Sequence, residues 1–126
     1  MSQECDRGVQ VTFADGVRDD VASLVASSSG NDTEALKRRI AELLVECRAN
    51  PYVGELMGAG RHPELSGCRR VRFDVPAYEG KPRLRLIYRN EPSDGAPAEC
   101  RWLAIAPRAG LRAHRQASQR SRRADG

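Results

Sequence analysis

Arg69-Arg70-Val71-Arg72-Phe73, Arg83-Leu84-Arg85-Leu86-Ile87-Tyr88-Arg89 and Trp102-Leu103-Ala104-Ile105-Ala106-Pro107-Arg108 are the segments that decide the fold. In the first, Val71, Phe73 and Val75 alternate with Arg70, Arg72 and Asp74. In the second, Leu84, Leu86 and Tyr88 alternate with Arg83, Arg85, Ile87 and Arg89. A period of two is the signature of a strand with one face packed and the other free, so the apolar set is expected on a core and the arginines on the opposite face. In the third segment Leu103 and Ile105 are expected to face the core, leaving Ala104, Ala106 and then Arg108 on the arginine side. Small side chains there suit either an open groove floor or close packing. Trp102 fits either the core or a platform for a stacked base.

N-terminal to these strands the pattern changes. Gly8 to Phe13 alternates with β-branched residues and reads as a short strand. Val17, Val21, Leu24 and Val25 then mark one face of a helix, with Asp15 as its expected cap. A Ser27-Ser28-Ser29-Gly30 break follows. Leu36, Ile40, Leu43, Leu44 and Cys47 mark a second helix, opened by an Asn31/Glu34 capping box and stopped by Pro51. Residues 51–67 are rich in Gly and Pro and read as a connecting loop, with His62 taken as a surface group and Leu65 plugging the loop onto the core. Segments 76–82 and 90–97 suit hairpin loops. The last helix is expected over 109–120, with Leu111, His114 and Ala117 at helical spacing, followed by a polar basic tail over 121–126. The whole chain, 1–126, reads as one α+β domain in which two N-terminal helices pack on a small antiparallel sheet, with a short C-terminal helix.

Charge is segregated along the chain. Residues 1–59 hold six Lys/Arg against ten Asp/Glu, a balance of −4, and residues 60–126 hold fifteen against seven, a balance of +8. Such a dipole points one surface at a polyanion. Cys5, Cys47, Cys68 and Cys100 stand far apart, without the close pairs that zinc requires, so no metal or other cofactor is expected. Cys47 and Cys100 sit within apolar patterns and read as buried thiols. No apolar run approaches the ~20 residues of a membrane span, and the first residues lack a signal peptide's basic and apolar regions. The expectation is a cytoplasmic protein that does not engage a membrane.

Asn50-Pro51, Leu65-Ser66-Gly67, Arg70-Val71-Arg72-Phe73, Arg85-Leu86-Ile87-Tyr88-Arg89, and Ala104-Ile105-Ala106-Pro107-Arg108 with His114 and Arg120 beyond it, together resemble the RelE-like toxins of bacterial type II toxin-antitoxin systems, within the RelE/ParE superfamily. The likeness runs over residues 8–120. It implies an endoribonuclease that cuts mRNA, commonly on the ribosome, and a cognate antitoxin that covers its groove. By the same resemblance the two basic residues of the first central strand fall on Arg70 and Arg72, the arginine before the Leu-hydrophobic-Tyr run on Arg85, the arginine after the last strand on Arg108, and the C-terminal aromatic on His114. Many members have lysine on the first strand and tyrosine near the C-terminus, where this chain has arginine and histidine.

Metal-free RNA cleavage by the 2′-hydroxyl needs a group to remove its proton, cations to neutralise the phosphorane, and an acid for the 5′ oxygen. Arg72, Arg85 and Arg108 suit the second task, because guanidinium matches phosphate oxygens bidentately and stays protonated. His114, with an ordinary pKa of about 6.5, is the one matched side chain suited to proton transfer, or else it stacks on a base. Arg70, Arg83, Arg89, Arg112 and Arg115 are expected to contact RNA. Two alternatives accompany this reading: a ParE-like inhibitor of DNA gyrase, and a relative that binds RNA without cutting it. The antitoxin's identity, the codon preference and the oligomeric state are not written in these residues.

Overall fold

The computed structural model describes residues 9–58, 63–108 and 112–125; Cys5, Gly8, His62, Ala109 and Leu111 lie outside these described residues. The elements are β1 (Gln10–Phe13), α1 (Val17–Ser27), α2 (Asn31–Ala49), β2 (Glu55–Leu56), β3 (Arg69–Phe73), β4 (Leu84–Glu91), β5 (Glu99–Pro107) and α3 (Arg112–Asp125), with a short 3₁₀ turn at Pro63–Leu65. The class is α+β, as expected. The sheet, however, is mixed rather than antiparallel: its order is β1-β5-β4-β3-β2, and β1 runs parallel to β5. Tight hairpins force antiparallel neighbours, but β1 meets its partner only after α1, α2 and three other strands have intervened.

The helices follow their apolar spacing. Leu36, Ile40, Leu43 and Cys47 are the buried face of α2, and Val17, Asp20 and Leu24 that of α1. Their caps differ from expectation. Gly16, at φ 95°, precedes α1 where Asp15 was expected to cap it, and Gly30 precedes α2, so Asn31 is the first helical residue and caps nothing. Gly16 is required twice over, since a Cβ there would lie 2.6 Å from a guanidinium nitrogen of Arg120.

Residues 51–67 are more ordered than a plain loop. The Pro51 carbonyl accepts hydrogen bonds from Tyr88 Oη (2.6 Å) and Asn90 Nδ2 (2.9 Å), and Gly54 N–H donates to Tyr88 Oη at 3.0 Å. A Cβ on Gly54 would come within 2.9 Å of the Tyr88 ring, so the residue fits only as glycine. This clamp carries the chain from α2 onto the sheet edge, where Glu55 pairs with Arg70 in β2. Arg69 forks onto Asp94 at 2.9 and 2.8 Å and donates to the Gly54 carbonyl at 2.7 Å.

A bulge settles the place of Trp102. Pairing between β4 and β5 passes from Ile87↔Ala104 to Tyr88↔Trp102, with Leu103 as the extra residue. Simple alternation would put Trp102 beside Ala104; the bulge turns it onto the Tyr88 side, where it is 1% exposed and meets Phe13 edge-on at 5.6 Å. It is a core residue. Cys47 and Cys100 are buried as expected.

Beyond Phe13, β1 ends while β5 continues. The vacant edge is filled by side chains: Asp20 accepts the Ile105 N–H at 3.1 Å, and Arg120 donates to the Leu103 carbonyl at 2.9 Å. Arg120 also forks onto Asp20 at 2.7 and 3.1 Å. Through this pair α3 is fastened to α1 and laid against β5 and β4. The helix runs to Asp125, so the basic tail expected over 121–126 is helical through that residue.

Breaking a buried pair strands the surviving charge and costs about 3–5 kcal/mol. Asp20→Ala and Arg120→Ala should each lose about that much in urea denaturation, with the double variant losing far less than their sum. At Asp94, hydrogen bonds from Arg69 hold the carboxyl below its usual range, Asn90 adding to this against burial. A depressed carboxyl gives stability that is full above about pH 4 and is lost as pH falls through its folded pKa. Wild type should therefore lose stability relative to Asp94→Asn as pH falls below about 4, measured by denaturation at each pH.

Candidate nucleic-acid interface

The face opposite α1 and α2 is built from β3, β4 and β5 in register. Arg72 stands across from Arg85, which stands across from Ala106; Arg70 stands across from Ile87, which stands across from Ala104. The alternation read from the sequence thus holds in three dimensions for Arg70, Arg72 and Arg85. The alanines do not floor an open groove. Ala104 and Ala106 are 0% and 4% exposed, with α3 on this face pressing its own buried Ala113 and Ala117 against the sheet. Small residues on both sides let the helix approach closely.

Four guanidinium groups, those of Arg70, Arg72, Arg85 and Arg108, act on one another on this face. Arg85 is 7% exposed and donates to the backbone carbonyls of Pro82 and Leu84, both at 2.9 Å. Burial pushes its pKa down, and the charges of Arg72, Arg108 and Arg70 push it further. Arg108 is exposed at the end of β5, its N–H donating to the Arg83 carbonyl at 2.7 Å. Among the described residues, a carboxylate that sequence reading missed stands against these cations. Glu55 accepts from Arg70 at 2.6 Å and lies 3.7 Å from Arg72, and the hydrogen bond from Arg70 lowers its pKa, with the charges of Arg70 and Arg72 adding to it. The two-residue strand that carries it gave no periodic signal.

Other candidate residues lie elsewhere or are differently engaged. Arg83 precedes β4, forks onto Asp74 at 2.8 Å and stacks on Tyr78 with 3.6 Å to the ring centroid. It lines a cavity of about 380 Å³ shared with Leu24, Ser28 and Asp32, on the α1–α2 side of the sheet. Arg89 forks onto Glu91 at 2.8 and 2.7 Å. Arg112 and Arg115 are exposed on α3. His114, read as either a proton carrier or a base-stacking group, is only 8% exposed, on the face of α3 shared by Ala113, Ala117 and Ser118. Ser118 is in turn hydrogen-bonded to Glu64. Arg120, part of the matched sequence pattern, is the anchor of α3.

No family model matches the chain, and no curated protein matches it in sequence. Among solved structures it is similar to an arginine-to-alanine double mutant of the E. coli toxin RelE in the free state, with a TM-score of 0.54 and 13% identity, over 90% of this chain and 97% of that one. The fold is RelE-like. No helix among the described residues is long and apolar enough to cross a membrane.

Crowding of like charge around a buried guanidinium costs stability that salt relieves. Arg108→Gln should raise the melting temperature by about 1–2 °C in low salt, the gain shrinking toward zero in about 1 M salt. A thermal melt at the two salt concentrations reads this directly.

Proposed function

We propose that the chain is a toxin endoribonuclease that cuts mRNA by metal-free attack of the 2′-hydroxyl on the adjacent phosphate, acting with the ribosome and restrained by a cognate antitoxin. The observation that carries this reading is the facing of Arg72 and Arg85 on one sheet face of a RelE-like fold, with Arg108 and Arg70 close enough to perturb Arg85 electrostatically. In this reading Arg72, Arg85 and Arg108 hold the scissile phosphate and neutralise the charge that builds on it, and Arg70, Arg112 and Arg115 steer the RNA backbone. Arg83 and Arg89, committed to Asp74 and Glu91, would contact RNA only where those pairs open. His114 would serve in proton transfer to or from the ribose and leaving oxygen. Such a protein works where mRNA is translated, in the cytoplasm, and needs no cofactor.

A second reading, RNA binding without cleavage, is favoured by the burial of His114 on the inner face of α3. Sealed there, the imidazole reaches a ribose only if α3 shifts. Purified protein incubated with translating ribosomes distinguishes the two. Cleavage should leave 2′,3′-cyclic phosphate ends, Arg85→Ala and Arg108→Ala should each slow it by about 10²-fold or more, and His114→Ala should remove the titration near neutral pH from the rate profile. Salt-sensitive RNA binding with no cyclic ends would select the second reading.

A further inference from the structure

The arginine face carries its own anion. Glu55 lies on the edge strand β2, its side chain 58% exposed, with its carboxylate hydrogen-bonded to Arg70 and within ion-pair distance of Arg72. Its position is imposed from behind, because Gly54 is locked under Tyr88 and Arg69 and leaves the next residue directly across from Arg70. Two of the four clustered guanidiniums thus share one carboxylate, while Arg85 has backbone carbonyls and Arg108 is exposed. Arg70 is also incompletely engaged: its Nε is buried and has no hydrogen-bond partner among the described residues.

We propose that Glu55 is an internal competitor for the phosphate site, occupying Arg70 and Arg72 in the free protein and giving way to the phosphodiester backbone of RNA. The inference rests on reading this face as an RNA-binding surface. A carboxylate and a phosphate diester present the same charge and similar oxygen geometry to a guanidinium fork. The exchange therefore conserves the arginines' charge balance, while adding the repulsion between Glu55 and the incoming phosphate. That repulsion makes capture of isolated RNA weak and leaves affinity to arise where many phosphates act together, as on a long or structured RNA. Glu55 is suited to this because its partners keep it ionised through neutral pH and into the acid range.

Glu55→Gln removes the charge and keeps the shape, and its amide oxygen can still accept from Arg70. A short single-stranded RNA with 2′-O-methyl riboses, which cannot be cut by this chemistry, serves as the probe in a fluorescence anisotropy titration at about 0.1 M salt, where the Debye length is about 10 Å. Circular dichroism and thermal melting confirm that the variant is folded. The variant should bind about three- to tenfold more tightly than wild type, as expected for removing one like charge next to the phosphate. The difference should fade at high salt, and again as pH falls far enough to protonate Glu55 in wild type. Equal or weaker binding by the variant, with wild-type binding intact, overturns the competitor role and leaves the RNA-binding reading standing. Failure of both proteins to bind overturns the two together.

Discussion

Asp20 and Arg120 do the work of a strand that is not there. β1 stops at Phe13, and the outer edge of β5 would otherwise present the Leu103 carbonyl and the Ile105 N–H with nothing to pair with. Buried backbone groups left in that condition cost about as much as a lost hydrogen bond each. The carboxylate and the guanidinium satisfy both, and also each other. The consequence reaches beyond local pairing: the same contact joins the first helix to the last and ties α3 to β5.

The arginine face is electrostatically uncomfortable in the free protein. Arg85 makes no hydrogen bond to a carboxylate, and burial, with the charges of three other arginines, lowers its pKa, a state that a stability-driven core would not retain. Such an arrangement makes physical sense where an external anion completes it, and Glu55, the anion that pairs with this face among the described residues, is exposed and sits at the margin rather than in the centre. By contrast, the arginines that serve structure are fully engaged: Arg69 with Asp94, Arg83 with Asp74, Arg120 with Asp20. Arg70 is paired too, but its partner Glu55 is 58% exposed, whereas Asp20, Asp74 and Asp94 are far more buried, and that separates the two kinds.

Strand periodicity made much of this legible. Residues 69–73 form β3 where the alternation placed it, and the shared face of Arg70, Arg72 and Arg85 follows from parity alone. Helix α2 was written in Leu36, Ile40, Leu43 and Cys47. What escaped detection depends on long-range geometry. The parallel pairing of β1 with β5, the bulge at Leu103 that sends Trp102 into the core, and the joining of Asp20 to Arg120 across the chain have no local signature. Arg83 was misplaced for a simpler reason: the strand begins one residue later, so alternation does not govern it. Helical spacing set His114 with Ala117 on one face of the last helix, and that face is the buried one, so the spacing that made His114 stand out also takes it out of solvent.

The proposed phosphate site is Arg70, Arg72, Arg85 and Arg108 acting as one. Nitrogen-15 NMR of the guanidinium Nε–Hε groups during titration with single-stranded RNA tests it most directly, since each arginine reports separately. Shifts concentrated at Arg70, Arg72, Arg85 and Arg108, with Arg69, Arg83 and Arg120 left in place by their carboxylate partners, are the result this account predicts. Shifts at Arg83 and its neighbours across the sheet, with the four clustered arginines silent, would contradict it.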